Sequence, residues 1–205
     1  DEMTSWSTPI IVDHAGRPQV VVSATSRVRG YDLADGRQIW ECAGLSRNVV
    51  ASPVFANGMV YAGNSYDWRA MLAIRLEGAA GDITKTTNLV WKRARATPYV
   101  PSPLLYDGKL YYIRHNQGHL TCLDAETGKL HYGPVRLEGL HNIFASPVGA
   151  AGRVYIVGRD GTTLVIRQGD EYEVLSFQDL IEVQSDPDGG LDVRLRNLEY
   201  DLTRS

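Results

Sequence analysis

Apolar residues in this chain fall in short runs separated by glycine, aspartate and asparagine corners, and one arrangement of such runs is written four times. The clearest copy is residues 101–132, PSPLLYDGKLYYIRHNQGHLTCLDAETGKLHY. A Ser-Pro opens an apolar run, a glycine turn leads into an aromatic-rich run, and a polar corner leads into a third run ending in Asp-x-x-Thr-Gly. A last run closes on an aromatic residue. Short β-rich runs bounded by turn formers at intervals of about 8 to 12 residues predict strands, and no copy carries the period of a helix. Each copy therefore predicts four strands.

The repeat is marked by Thr8-Pro9, Ser52-Pro53, Ser102-Pro103 and Ser146-Pro147, whose prolines are 44, 50 and 44 residues apart, the interval of a propeller blade. Proline has no N–H to give a ladder and is tolerated at the first residue of a strand, which suits the head of a blade's inner strand. Gly58, Gly108 and Gly152 follow five residues after the last three prolines, and Tyr61, Tyr111 and Tyr155 three residues after that. In the first copy the inner strand is expected at 10–12, then a longer turn at 14–19. In the second, the third turn is lengthened to 77–88, a Gly- and Thr-rich stretch that reads as a long loop.

The expected blades are residues 6–42, 49–94, 101–137 and 145–177. After residue 177 the pattern stops. Runs at 180–184 and 191–195 flank an SDPDGG corner and suggest a hairpin cap within a non-repeat tail, 178–205; Leu195, Leu198 and Leu202 would also suit one helical face. The fold class is thus all-β, a partial β-propeller of four four-stranded antiparallel blades, half of an eight-bladed ring, with a short tail. A blade cannot bury both faces alone. Four blades ask for a homodimer that closes a ring, for the remainder of a longer propeller, or for a cap.

Composition narrows the partners. The 205 residues are 43% hydrophobic, with a formal net charge of -3. The scattered Lys and Arg make no cationic field for a phosphate backbone, so no nucleic acid is expected. No apolar run approaches the roughly 20 residues of a membrane-spanning helix, so no transmembrane segment is expected. The opening residues DEMTSW show none of the parts of a signal peptide. Cys42 and Cys122 lie in different repeats at different strand positions and read as small buried hydrophobes rather than a disulfide.

Residues 122–132, CLDAETGKLHY, and 30–40, GYDLADGRQIW, resemble the tryptophan-docking motif of pyrroloquinoline-quinone (PQQ)-type β-propellers, Ala-x-Asp-x-x-Thr-Gly-x-x-x-Trp. The resemblance covers residues 6–177. It implies that Asp and Thr bond within the turn and that the closing aromatic packs between blades on the turn glycine. Tyr132 departs from the Trp, Cys122 from the leading Ala and Asp35 from the Thr; Trp91 follows an insertion, and the fourth copy has no docking aromatic. The resemblance further implies a bacterial, extracytoplasmic and periplasmic protein. Non-catalytic relatives, such as the outer-membrane assembly lipoprotein, act as scaffolds or ligand-sensing platforms. The alternative is a fragment of a PQQ-dependent quinoprotein dehydrogenase, which in that family needs PQQ, a calcium ion, a catalytic Asp and often an adjacent Cys-Cys pair. No Cys-Cys occurs here and the inner strands read as apolar. No cofactor, metal or catalytic residue is therefore assigned, and the enzyme question stays open.

In a four-stranded blade the second corner and the link to the next blade lie on one face. That face collects Arg47, Asn48, Tyr66, Asp67, Trp68, Arg69, Tyr99, His115, Asn116, Gln117, His141, Asn142, Arg159 and Asp160. Arg, Tyr and Trp among amides are the composition of a recognition surface for a protein or peptide, with Tyr66 and Trp68 the first contact pair. His115, His119 and His141 with Asn116 resemble a metal-ligand set in type only, since their spacing matches no compact zinc motif.

Overall fold

A computed structural model describes residues 4–114, 116–179, 181–185 and 191–195, in which every regular element is a strand. The first blade comprises β1 (Ile10–His14), β2 (Arg17–Ser23), β3 (Arg27–Asp32) and β4 (Gln38–Ala43). The second is β5 (Val54–Ala56), β6 (Met59–Asn64), β7 (Ala70–Arg75) and β9 (Leu89–Arg93), with β8 (Gly81–Asp82) between the last two. The third is β10 (Leu104–Tyr106), β11 (Lys109–Arg114), β12 (His119–Asp124) and β13 (Leu130–Arg136), and the fourth β14 (Val148–Ala150), β15 (Arg153–Val157), β16 (Thr162–Arg167) and β17 (Val174–Asp179). Within each blade the strands pair antiparallel in chain order, so four blades form an arc of a β-propeller. Beyond them β18 (Ile181–Ser185) pairs antiparallel with β19 (Leu191–Leu195) as a separate two-stranded sheet.

Two local expectations are corrected. The turn expected at 14–19 is a tight one at Ala15-Gly16, with φ of 53° and 73°, and β2 already begins at Arg17. Positive φ at both central residues matches the twist of a hairpin, and Pro18 sits inside the strand opposite Asp13. The stretch 77–88 is more than a loop. It folds back so that β8 pairs parallel with β4, Trp40 opposite Gly81 and Glu41 opposite Asp82, which makes the first sheet five-stranded. Ile83 is buried in the core between blades one and two, the Thr84 hydroxyl accepts the Ala43 N–H at 2.8 Å, and Arg27 bridges Glu41 at 3.0 Å and Asp82 at 3.1 Å. An edge that would offer unpaired backbone to another chain is covered.

The blades pack through three apolar layers. Val21, Trp40 and Cys42 of the first meet Val60, Leu72 and Ile74 of the second. Tyr61, Met71 and Ala73 of the second meet Leu110, Tyr112 and Leu123 of the third, and Tyr111, Ile113, Leu120 and Cys122 meet Val154, Ile156, Leu164 and Ile166 of the fourth. Cys42 and Cys122 are both buried free thiols, and burial pushes each up to about 11.

The closing aromatics occupy these layers. Trp40 pairs across the strands with Gly30, Trp91 with Ala73, and Tyr132 with Cys122. The leading position of the docking motif is therefore the floor on which the blade's own ring lies, and a larger floor accompanies a smaller ring. In the fourth blade Val165 faces Ser176 and no ring is present. The other side of the Trp91 ring meets the next blade's turn, where Asp124 Oδ1 accepts from the Thr127 N–H at 2.7 Å and its hydroxyl at 2.5 Å.

The repeated Ser-Pro heads are also explained. The Ser52 hydroxyl accepts the Thr8 N–H, the Ser102 hydroxyl the Ser52 N–H, and the Ser146 hydroxyl the Ser102 N–H, each at 2.9 Å. Proline after each serine keeps the head extended, and each hydroxyl satisfies a backbone donor of the preceding blade.

Candidate functional site

The second-corner face begins on a buried polar platform. Asn64, fully buried, accepts the Ser46 N–H through Oδ1 at 3.2 Å and donates through Nδ2 to the Ser46 hydroxyl. Its carbonyl accepts from the Thr97 hydroxyl at 2.8 Å. One asparagine thus ties the link after blade one, the second corner of blade two and the link after blade two. Buried amides satisfied in this way fix loops that would otherwise vary.

On this platform stands the first cluster. Arg47 meets Asp67 at 2.7 Å, and its guanidinium lies 5.8 Å from the centre of the Tyr66 ring, within cation–π range. The Asp67 carboxylate holds the Arg47 guanidinium above its usual range. Tyr66 stacks with Tyr99 at 6.1 Å and 28°. Trp68 donates from Nε1 to the Gly44 carbonyl at 3.3 Å and remains 53% exposed, and Tyr66 is 47% exposed. Arg69 beside it is exposed, and Asn48 turns the link with a φ of 53°. Arg47, Tyr66, Asp67 and Tyr99 are therefore one contact group, with Trp68 at its margin.

A second group lies between blades three and four. Asn116, Gln117, His141 and Asn142 line a depression of about 400 Å3. Two further liners, His119 and Arg136, were not among the sequence candidates for binding. His119 starts β12 and shares the pocket with His141 and Asn116. His115 lies outside the described residues. Arg159 and Asp160 stand at the second corner of blade four and do not line this depression, although Asp160 lies beside His141 across Gly158. Asp160 Oδ1 accepts the Thr162 N–H at 3.1 Å, which holds that carboxyl below its usual range.

The opposite face holds a feature absent from the sequence candidates. A cleft of about 770 Å3 runs across the first and third corners, lined among others by His14, Tyr61, Arg75, Glu77, Asp107 and Glu126. Tyr61 is 3% exposed, and burial, with Asp124 and Glu126 nearby, pushes its phenol up to about 12. The available signal was the run of acids Asp107, Asp124 and Glu126 at corners of one repeat.

Along the inner strands an apolar groove of about 410 Å3 is lined by Ile10, Ile11, Pro53, Val54, Phe55, Pro103, Leu104 and Leu105. Such a wall offers no side-chain carboxylate or amide to a calcium ion or to an axial quinone. Among the described residues no group of three or more His, Cys, Asp or Glu is placed to hold a metal ion, and no helix is long and apolar enough to cross a membrane.

Residues 2–132 match the PQQ-like family described as outer membrane protein assembly factor BamB. The chain belongs to this family. No curated protein matches it. Among solved structures, BamB from Moraxella catarrhalis is similar at 16% identity and a TM-score of 0.55, covering 91% of this chain and 57% of that one. Quinohemoprotein alcohol dehydrogenase from Comamonas testosteroni is similar at 14% identity and a TM-score of 0.59, covering 88% and 37%. The computationally designed Ika4 protein is similar at 13% and 0.55, covering 80% of this chain and 92% of the design. At these identities the likeness is one of fold, and the BamB-family chain spans 57% and 37% of the two natural proteins.

Proposed function

We propose that this BamB-family chain is a non-catalytic propeller module that recognises a protein or peptide partner through its second-corner face, outside the cytoplasm and in the periplasm. The observation that carries the reading is the group Arg47, Tyr66 and Tyr99 with exposed Trp68, stacked and ion-paired on the Asn64 platform. Rings and a guanidinium held in place before binding lose little freedom when a partner arrives, and these residue types dominate binding energy at interfaces. The family description, an outer membrane protein assembly factor, fits a scaffold. The apolar axial wall supports a reading without cofactor.

The test is retention of periplasmic polypeptides on the immobilised chain, wild type against the double variant Y66A/W68A, with melting curves of both. The expected result is loss of the retained bands with the melting temperature nearly unchanged. Equal retention, or a large fall in melting temperature, would assign the rings to packing. Addition of PQQ and calcium is expected to leave the absorbance spectrum the sum of its parts; a shifted quinone band would revive the dehydrogenase alternative.

A further inference from the structure

β11, β12 and β13 set Arg114, His119 and Arg136 directly opposite one another in one row of the third blade. Two guanidiniums in one such row, with an imidazole between them, favour something of opposite sign nearby. The protein supplies little of it. Arg136 meets Glu138 only at 3.6 Å, with side chains 57% and 83% exposed. Arg114 Nε and His119 Nδ1 are buried and have no hydrogen-bond partner among the described residues. A buried polar atom without a partner is costly, the more so on a charged group such as the Arg114 guanidinium.

Beside this row lies the depression of about 400 Å3 lined by Asn116, Gln117, His119, Arg136, His141 and Asn142. Every one of these side chains can donate a hydrogen bond, and none is a carboxylate; the carboxylates at its margin are Glu138, by Arg136, and Asp160, beside His141 and already bonded to the Thr162 N–H. Its two walls are fastened together, since the Asn116 carbonyl accepts the Ile143 N–H at 3.2 Å, and Asn142 turns the link with a φ of 52°. A chain with a net charge of -3 thus gathers amide and imidazole donors around one guanidinium at a concave spot on the second-corner face.

We propose that this pocket receives a carboxylate of a partner polypeptide. The proposal rests on the reading of the second-corner face as a recognition surface and gives that surface a chemistry. Arg136, exposed at the mouth, offers the planar fork that grips a carboxylate with two parallel bonds. His119 and the amides of Asn116, Gln117 and Asn142 complete the donor set behind it. The Tyr66 group supplies apolar contact, and the pocket supplies polarity and direction.

The experiment is calorimetric titration of the chain with three probes. One is a short peptide carrying glutamates with both ends blocked, one is a neutral peptide with a free C-terminal carboxylate, and one is inorganic phosphate. Binding of either peptide, weakened by salt and reduced about tenfold in both R136Q and H119Q, with R37Q at an exposed corner of the opposite face unchanged, is the expected result, since a lost charge-assisted bond has about that effect. The peptide that binds names the source of the carboxylate. Failure of both peptides, binding by phosphate alone, or wild-type affinity in R136Q and H119Q would overturn the proposal. Arg136 is exposed, so R136Q keeps the test meaningful should H119Q fold poorly. Loss of partner retention in Y66A/W68A, with peptide binding unaffected by R136Q, would sink the pocket and leave the recognition surface standing.

Discussion

Trp91 rests so closely on Gly128 of the next blade that a Cβ at that glycine would fall 2.7 Å from the indole, and the indole N–H donates to the Ala125 carbonyl at 2.9 Å. Blade two and blade three are joined by a ring seated on a turn, and the turn has its shape because Asp124 and Thr127 bond within it.

Gly128→Ala should therefore cost more than a turn glycine ordinarily does. Gly128 has a φ of 70°, and so does Gly108, where an added Cβ would meet nothing within 4 Å. Gly108→Ala carries only the backbone strain, about 1 kcal/mol, whereas Gly128→Ala adds displacement of the indole and should total about 2 to 4 kcal/mol. Denaturant titrations of the two variants read the difference directly. Equal destabilisation would mean that Trp91 moves aside without loss.

The pairs Gly30 with Trp40, Ala73 with Trp91 and Cys122 with Tyr132 trade floor size against ring size. Tyr132→Trp alone should overfill the space above Cys122 and destabilise by about 1 to 3 kcal/mol. Adding Cys122→Ala should recover much of that loss, a coupling of about 1 kcal/mol or more in a double-mutant cycle. Additive effects would show that the two residues do not share the site.

The blades were legible because the Ser-Pro heads, turn glycines and closing aromatics recur at fixed positions, so register and face followed together. What was missed depended on contacts between segments. Pro18 reads as turn chemistry, yet the tight turn at Ala15-Gly16 leaves it inside β2. β8 is two residues long and exists only because the edge of β4 lies beside it. The second-corner face could be assigned from topology alone. That Arg47, Tyr66 and Tyr99 touch could not, because they come from three segments held by Asn64. His119 stands out beside His141 and Asn116 as an imidazole, but Arg136 does not, because only the pairing of β12 with β13 brings it opposite His119.

Asp82 makes the fastening of β8 dependent on pH. The Thr84 hydroxyl and N–H donate to its Oδ1 at 2.5 and 2.9 Å, and Arg27 to its Oδ2 at 3.1 Å, which together hold the carboxyl down at about 2. An unfolded Asp titrates near 3.9. A group depressed in the folded state contributes stability that is present above the unfolded value and lost as pH falls through the folded one. The melting temperature of the wild type should exceed that of Asp82→Asn at pH 6, and the gap should close between about pH 4 and pH 2. A gap independent of pH would assign the effect to hydrogen bonding rather than charge.

The last prediction concerns the two ends of the arc. Inside it, each forward row meets an apolar backward row, as Tyr111 and Cys122 meet Val154 and Ile166. The first blade's backward row is Ile11, Val20, Tyr31 and Gln38, and the fourth blade's forward row is Val148, Tyr155, Val165 and Ser176. Ile11 is 68% exposed and Val148 60%. The serine stitch also stops at these ends, for it begins at the Thr8 N–H and finishes on the Ser146 hydroxyl, so the next bond in the series would run from a Ser146 N–H to a Thr8 hydroxyl. A second copy offers both halves of that joint. Light scattering across a range of concentrations should therefore show a mass rising from 22.7 kDa towards twice that value. Ile11→Asp, which sets a charge on the apolar row, should hold the mass at the lower figure. The joint lacks a docking ring, since Ser176 stands where the other blades carry Trp or Tyr, so the association should be weaker than the internal packing and reverse on dilution. A single mass at every concentration would show that these end faces do not pair, and would leave completion of the ring to blades from a longer protein.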